Sequence, residues 1–580
     1  MQRIDVPAFK GMAPRVSPAL LEDVQGVTVT GACTSGELRP WRVPKYVQDC
    51  GVDTESIFLT RQGDWLTWDE VVNAVPAVQA NDAFGRTYYT RESGGLFVVS
   101  PLDDYTEFRV GVPAPVNPCT VGITGGASGN PRSVIYVYSY VNDWGEEGPP
   151  SDPTELYDVQ DGQTITLSEF APPPLGYKLI VAIRIYRVAM GEVAAEWFLV
   201  SEIPADQATF VDDIPDTGLG EALSTSEYAL PPDTARGLIA AGNGVLAAFS
   251  GNEIAFCAPY LPYAWPDKFR MTVAEPIVAL GLSSGMLAVL TTGSPYYIYM
   301  SHPSAARLSP ESFGQIRLAE TTPCTSPRSV VSTEIGVIFA APDGLRVLRG
   351  DGGTGSTLQT ERLLTASEWV AIFDPVNLRG AYYDGSYFGW LGDNGFAYNL
   401  RTDVLTWTGL PARATHTDGL GLYIADGGAI YEWAGALGLM RGAFKSKVFR
   451  FAKPVNFAAL RIDSSMDQGF AILLDNEQET KAGNDLLEQD VLGLADEEIL
   501  GQSVSGNNLN DLPWTGGDLA FHDVQVWADG VLRFTGEIDS RGYARLPGGF
   551  LAREWQFEIK SRSFIKQITL GTSTRAIVGR

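Results

Sequence analysis

Residues 238–256, LIAAGNGVLAAFSGNEIAF, hold three short apolar runs separated at Gly244 and Gly251. Runs of four or five residues, bounded by glycine-containing turns, read as three strands of one antiparallel unit. The same pattern returns four times. It appears as IVALGLSSGMLAVLTTGSPYYIYM (277–300), with turns expected at Gly285 and Gly293, and as SVVSTEIGVIFAAPDGLRVLRG (329–350), with turns at Gly336 and Gly344. It appears again as LRGAYYDGSYFGWLGDNGFAYNL (378–400), turning at Gly385 and Gly395, and as THTDGLGLYIADGGAIYEW (415–433), turning at Gly421 and Gly427. The leading glycines, Gly244, Gly285, Gly336, Gly385 and Gly421, are 41, 51, 49 and 36 residues apart. A period in the forties with three or four strands per unit predicts a β-propeller. Tight hairpin turns need positive φ, which Gly supplies at no steric cost, so Asp343-Gly344, Asp384-Gly385 and Asn394-Gly395 are the expected turn residues.

Working outward, a sixth unit lies upstream in SIFLTRQGDWLTW (56–68) and GRTYYTRESGGLFVV (85–99). It is cut off from the others by residues 113–230. That stretch opens on Pro113, Pro115 and Pro118 and then alternates strands and turns over about 100 residues, which predicts a small β-sandwich. After Trp433 the chain stays β-rich: FKSKVFRFAKPVNFAALRI reads as two strands broken at Pro454, and VQVWADGVLRFTGEI as a hairpin turning at Asp529-Gly530. Only two helices are expected, at TWDEVVNAV (67–75) and around Leu486–Leu494. The fold class is therefore all-β: a propeller of about six blades, an inserted sandwich and a C-terminal β-rich region. The divisions are 1–111 (N-terminal arm and first blade), 112–230 (sandwich), 231–456 (main blades) and 457–580. The last of these contains an acidic insertion at 464–514, and its final strands are expected to close the propeller.

Composition narrows the function. The 580 residues carry 69 acidic and 42 basic side chains, a formal charge of −27, which opposes binding of nucleic acid through phosphate contacts. The charge can serve solubility or present a surface that repels polyanions. No apolar run approaches the roughly 20 residues of a membrane span, and MQRIDVPAFKGMAP does not read as a signal peptide, so a soluble protein made in a cytosol-like compartment is expected. Five cysteines share no metal-binding spacing, and His302, His416 and His522 occur in no zinc motif. No metal and no cofactor are expected. Gly281-Leu-Ser283-Ser-Gly285 matches GxSxG, but a nucleophile elbow joins a strand to a helix, and strands flank this one on both sides. Asn399–Trp407 (NLRTDVLTW) lacks the serine and glycine of a sialidase box. Asp475-x-Glu477-x-Glu479 has Thr480 where a calcium loop needs Gly.

Short ordered segments carry a family resemblance. Gly11–Arg15 (GMAPR) and Ser35–Arg42 (SGELRPWR) resemble the N-terminal signature of the tail tubular protein B, or tail nozzle, family of short-tailed bacteriophages. Tyr136–Ser151 (YVYSYVNDWGEEGPPS), IRIYRV (183–188) and Phe210–Asp213 (FVDD) resemble the fibronectin-like domain of such virion proteins; Phe444–Phe457 and Arg553–Ser573 resemble their C-terminal strands. The resemblance implies a non-enzymatic structural protein of the virion tail, made in the host bacterial cytoplasm. Six copies would ring the distal end of the tail, below the adaptor and, through it, the portal, with tail fibres or spikes attached around the ring. DNA would leave through the bore without specific binding, since negative walls form no counterion-releasing contact with it. Asp475, Glu477, Glu479, Asp485, Glu488, Asp490, Asp496, Glu497 and Glu498 are the candidate acidic residues of that channel or its tip; a solvated outer loop is the other reading. The competing function is a propeller receptor-binding protein or polysaccharide depolymerase of the same virion, with an aromatic and acidic cleft on one propeller face.

Overall fold

A computed structural model of the chain describes residues 2–190, 195–299, 310–350, 355–465, 521–539 and 543–577. Six four-stranded antiparallel units follow one another as blades, five of them separate sheets and blade 5 part of a ten-stranded sheet. Blade 1 spans residues 72–109, blade 2 residues 236–272, blade 3 residues 277–317, blade 4 residues 331–358 and blade 5 residues 379–407. Blade 6 takes three strands from 414–432 and its fourth, Lys45–Asp49, from far upstream. A two-stranded hairpin, Ser56–Leu59 with Trp65–Trp68, occupies one further place in the ring. The first strands of blades 1 to 6 pack side by side in order, and the hairpin stands next to blade 6. Its junction with blade 1 is made by Ser56, whose hydroxyl donates to Glu70 O and accepts from Val72 N–H, both at 2.9 Å. The chain is thus an all-β propeller.

The second strands explain why the repeats read as continuous apolar runs. Val245–Ser250, Met286–Thr291 and Gly336–Ala341 are buried on both faces, except for Ser250, because each lies inside a blade covered by blades on either side. Turn residues fit the expectation only in part. Asn243-Gly244, Ser284-Gly285, Asp384-Gly385 and Asp529-Gly530 all have positive φ at both positions, the type I′ geometry. Gly344 and Gly395, expected as turns, instead lie in strands, Gly344 as the first residue of its strand and Gly395 as the second; the turns are Pro342-Asp343 and Gly392-Asp393. Glycine is required there by crowding, since a Cβ on Gly344 would come 2.2 Å from Thr360 Oγ1 and one on Gly395 2.5 Å from Trp390. Gly336 likewise opens a strand, after a Glu334-Ile335 turn.

The inserted sandwich consists of two three-stranded sheets. One contains Thr120–Val134, Tyr157–Ser168 and Thr209–Asp212; the other contains Tyr136–Asn142, Ile180–Met190 and Ala195–Pro204. Tyr136, Tyr138, Tyr140, Leu167, Ile183 and Ile185 fill the space between them.

Both ends of the chain build the remaining unit. Gly26–Thr30 joins the outer strand of blade 5 to Gly442–Ser446, and the sheet continues through Ala552–Ser561, Phe521–Ala528 and Val531–Asp539. A second sheet collects Arg3–Val6, Ala32–Thr34, Glu37–Arg39, Ala459–Ser465, Tyr543–Arg545 and Phe564–Gly571. Phe444, Phe457, Trp555, Phe557 and Ile568 lie in their shared core.

Several expectations are corrected here. The final strands do not close the propeller; they pair within this terminal unit, and ring closure falls to Lys45–Asp49. Main-blade residues end at Glu432, not 456, because Gly442–Ser446 and Phe449–Val455 pair with Ala552–Ser561. Pro454 lies inside Phe449–Val455, where the pairing is already irregular, so three strands stand where two were expected. Ser464 and Ser465 still pair with Ile565 and Phe564, so the insertion begins after 465. Residues 67–75 form strand ends and a turn rather than a helix. The α-helix of the propeller among the described residues, Ala366–Phe373, is marked by a capping box: Thr365 accepts from the Glu368 N–H, and the Glu368 carboxylate accepts from the Thr365 N–H. The Leu486–Leu494 helix lies outside the described residues.

Candidate functional site

The segments that carry the family resemblance take definite structural positions. Gly11, at φ +77, lies against blade 5: Met12 N–H donates to Leu405 O at 2.8 Å, and a Cβ on Gly11 would meet that same oxygen at 2.5 Å. Arg15 N–H continues the tether to Leu363 O. In Ser35–Arg42, Ser35 and Gly36 form the turn between Ala32–Thr34 and Glu37–Arg39, and Arg39 stacks on Phe564, 5.1 Å from the ring centroid. Trp41 packs on Phe388 and Trp433, and its indole N–H donates to Trp407 O at 3.0 Å. Together the two motifs fasten the N-terminal arm across blades 5 and 6 and the terminal unit.

The sandwich motif works in the same way. Glu146 reaches Arg86 of the blade 1 segment at 2.5 Å, and Arg86 also pairs with Asp82; all three side chains are nearly inaccessible. Burial pushes the Glu146 carboxyl up, and Arg86 pulls it back only in part. Glu147 accepts from Ser139 at 2.6 Å, Tyr186 at 2.7 Å and Arg184 at 2.8 Å. Arg187 of IRIYRV and Asp212 of FVDD, both 0% exposed, form an ion pair, and the Tyr136 hydroxyl donates to the same carboxylate. Arg187 Nη2 donates further to Ile214 O and Asp216. These pairs fix the sandwich internally and against the propeller.

A third cluster sits on the propeller axis. Inner strands of a propeller run along the axis, so residues preceding or opening them converge at one end of the central cavity. Glu55 precedes the hairpin, Arg328 lies in the turn before blade 4, Arg379 opens blade 5 and Arg413 precedes blade 6. The Glu55 carboxylate accepts from Arg328 at 2.6 Å and Arg379 at 3.1 Å through Oε2, and from Arg413 at 3.0 Å through Oε1. Arg328 Nη2 also donates to Glu55 O and Arg413 O. Burial pushes the Glu55 carboxyl up, but the three guanidiniums outweigh it and hold it below the usual glutamate range. A cavity of about 170 Å³ lies beside the cluster, lined by Ser56, Asn73, Arg328, Arg379 and Thr415 among others.

The enzyme-like candidates come apart. Ser283 is buried at the end of Ile277–Ser283, and among the described residues its hydroxyl has no hydrogen-bond partner and no base addresses it. His416 is ringed by Phe58, Trp65 and Tyr423, and burial pushes its imidazole down to about 4. His522 is buried between Ser464 and Ser561, and His302 lies outside the described residues. Among the described residues no group of His, Cys, Asp or Glu could hold a metal ion, and no helix is long and apolar enough to cross a membrane. Asp475, Glu477, Glu479, Asp485, Glu488, Asp490, Asp496, Glu497 and Glu498 all lie outside the described residues. The axial arginines escaped sequence reading because they are separated by tens of residues and share no motif. Their one common signal is position, just before or at the start of an inner strand.

No family model matches the chain, and no curated protein matches it. Among solved structures it is similar to the CNH domain of AfRom2, at 10% identity over 49% of this chain and 90% of that one, with a TM-score of 0.24. It is also similar to the WD40 domain of Neurospora crassa Pan2, at 6% identity over 66% of this chain and 88% of that one, with a TM-score of 0.26. Likeness at this level carries nothing about function, and the propeller assignment stands on the strand order of this chain.

Proposed function

We propose that the chain is a non-enzymatic structural protein of a virion: a tail nozzle of the tail tubular protein B type, six copies of which form a ring at the distal end of a short phage tail. Adaptor protein, and through it the portal, would sit above the ring, and fibres or spikes would attach around it. The observation that carries the reading is the ordered set of resemblance segments, Gly11–Arg15, Ser35–Arg42, Tyr136–Ser151, Phe210–Asp213 and the terminal strands. Their residues serve as fastenings between arm, propeller, sandwich and terminal unit, as an assembly under mechanical load requires. The charge of −27 agrees with a bore through which DNA slides without being held.

Electron microscopy of the purified full-length protein tests this. A ring with rotational symmetry and a central bore is expected. A monomer without such symmetry, or cleavage of host polysaccharide by the purified chain, would overturn the reading in favour of a receptor-binding or depolymerase function.

A further inference from the structure

The axial cluster holds more positive charge than its structural duty uses. Fastening the hairpin to the ring needs a cation opposite Glu55, and Arg328 alone meets that need: it donates to the carboxylate through Nη1 and to two backbone carbonyls through Nη2. Arg413 has its own acceptors in Glu55 Oε1, Asp53 Oδ1 at 3.4 Å and Val52 O at 2.9 Å. Arg379 is left over. Of its five N–H donors, only one, on Nη2, finds an acceptor among the described residues, at the same Glu55 oxygen that Arg328 already takes. Arg379 Nε is buried and accepted by no protein group among the described residues. Buried donors in folded proteins are ordinarily satisfied; Arg91, Arg187 and Arg270 also leave Nε without a hydrogen-bond acceptor among the described residues, so the orphan atom of Arg379 gains its meaning from the cavity that this side chain lines.

Charge points the same way. Within bonding distance the cluster has three guanidiniums against two carboxylates, Glu55 and the 80% exposed Asp53. Glu92, which also acts on Arg328 through space, is exposed and makes no ion pair with it. The Arg328 guanidinium is correspondingly depressed, first by burial and then by Arg379 beside it, with Glu55 opposing. In a chain of charge −27, Arg328 and Arg379 face one cavity of about 170 Å³ with the single carboxylate of Glu55 on the same wall, a local reversal of sign. Ser56, Asn73 and Thr415 add neutral polar groups to the same wall.

We propose that this axial cavity binds a compact oxyanion, a phosphate or carboxylate group, through Arg379 and Arg328. The planar guanidinium fork matches two oxygens of such a group, which a chloride ion cannot offer. Binding would neutralise the surplus charge and tie blade 4, blade 5 and the hairpin more firmly together.

The test is calorimetric titration of the full-length protein at low ionic strength with inorganic phosphate and, separately, acetate, with chloride as control. One saturable site per chain is expected for phosphate or acetate, with no site for chloride. Whichever of the two binds identifies the group as a free phosphate-type ion or as a carboxylate of the kind an acidic side chain presents. Arg379→Met is expected to weaken binding at least tenfold, and Arg379→Lys to lie between, since it keeps the charge and loses the fork. Absence of a saturable site for both anions in the unaltered protein would overturn the proposal, as would equal affinity in a folded Arg379→Met protein. The titration reads each chain whether or not it assembles, so it can fail while the nozzle reading stands, and the reverse.

Discussion

His416 shows what a single side chain contributes to this fold. It lies where blade 6 meets the hairpin, among Phe58, Trp65 and Tyr423, and burial holds its imidazole down to about 4, with Asp418 pulling weakly the other way. The ordinary value is 6.5, so between those limits the unfolded chain binds a proton that the folded chain does not. Stability is therefore undiminished above pH 6.5, falls as the pH drops toward 4, and levels off below that, a loss of up to about 3 kcal/mol. His416→Phe keeps a ring in the aromatic cluster and removes the titration. Urea midpoints measured from pH 7 to pH 4.5 are expected to fall less steeply in the variant; equal slopes would show that the imidazole is not held neutral. The residue scale is also where sequence reading is weakest. A lone histidine between strands carries no sign of burial, and the spacing of Arg328, Arg379 and Arg413 carries no sign of convergence.

Among the described elements of the propeller, Ala366–Phe373 is the one α-helix. It packs Trp369 and Phe373 against Phe396 in blade 5, and Trp369 Nε1 donates to Ala341 O at 2.8 Å. Eight residues are too few to hold a helix by propensity, so its first turn depends on the Thr365–Glu368 capping box. Thr365→Ala is expected to cost about 1 kcal/mol, and Thr365→Ser to restore most of it, as read from denaturant midpoints. The sequence T-x-x-E before an apolar run was there to be read, whereas TWDEVVNAV attracted a helix through its spacing and became strands, because pairing with Thr87–Arg91 outweighs local preference. Glycine turns were legible where both turn residues take positive φ, as at Asp384-Gly385. They were misread at Gly344 and Gly395, whose glycines answer crowding from Thr360 and Trp390, neighbours brought near by the tertiary fold.

At the scale of the whole molecule, the sandwich is held to the propeller by buried contacts, among them the ion pairs Arg86–Glu146 and Lys178–Asp103 and the packing of Trp144 on Phe84 and Phe108. Arg86 bonds both Asp82 and Glu146, and its guanidinium lies over the Trp144 ring at 5.3 Å. Arg86→Met leaves two buried carboxylates without their cation. Breaking one partner of a buried pair costs about 3–5 kcal/mol. Faster hydrogen exchange in the sandwich and faster proteolysis at 111–118 and 220–235 are expected, with the blades distant from it unchanged. Unchanged protection would mean that the remaining contacts, such as the Lys178–Asp103 ion pair, hold the sandwich without Arg86. The strand repeat, its period and the interruption at 113–230 were determined by sequence, because a blade's hydrophobic pattern and turns are local and recur wherever the unit does. Only the tertiary structure decided that the ring is closed by Lys45–Asp49, that the two chain ends share two sheets, and that three arginines meet Glu55 on the axis. Those are pairings across hundreds of residues, selected by which edges remain open once the blades are in place, and no local pattern encodes an open edge.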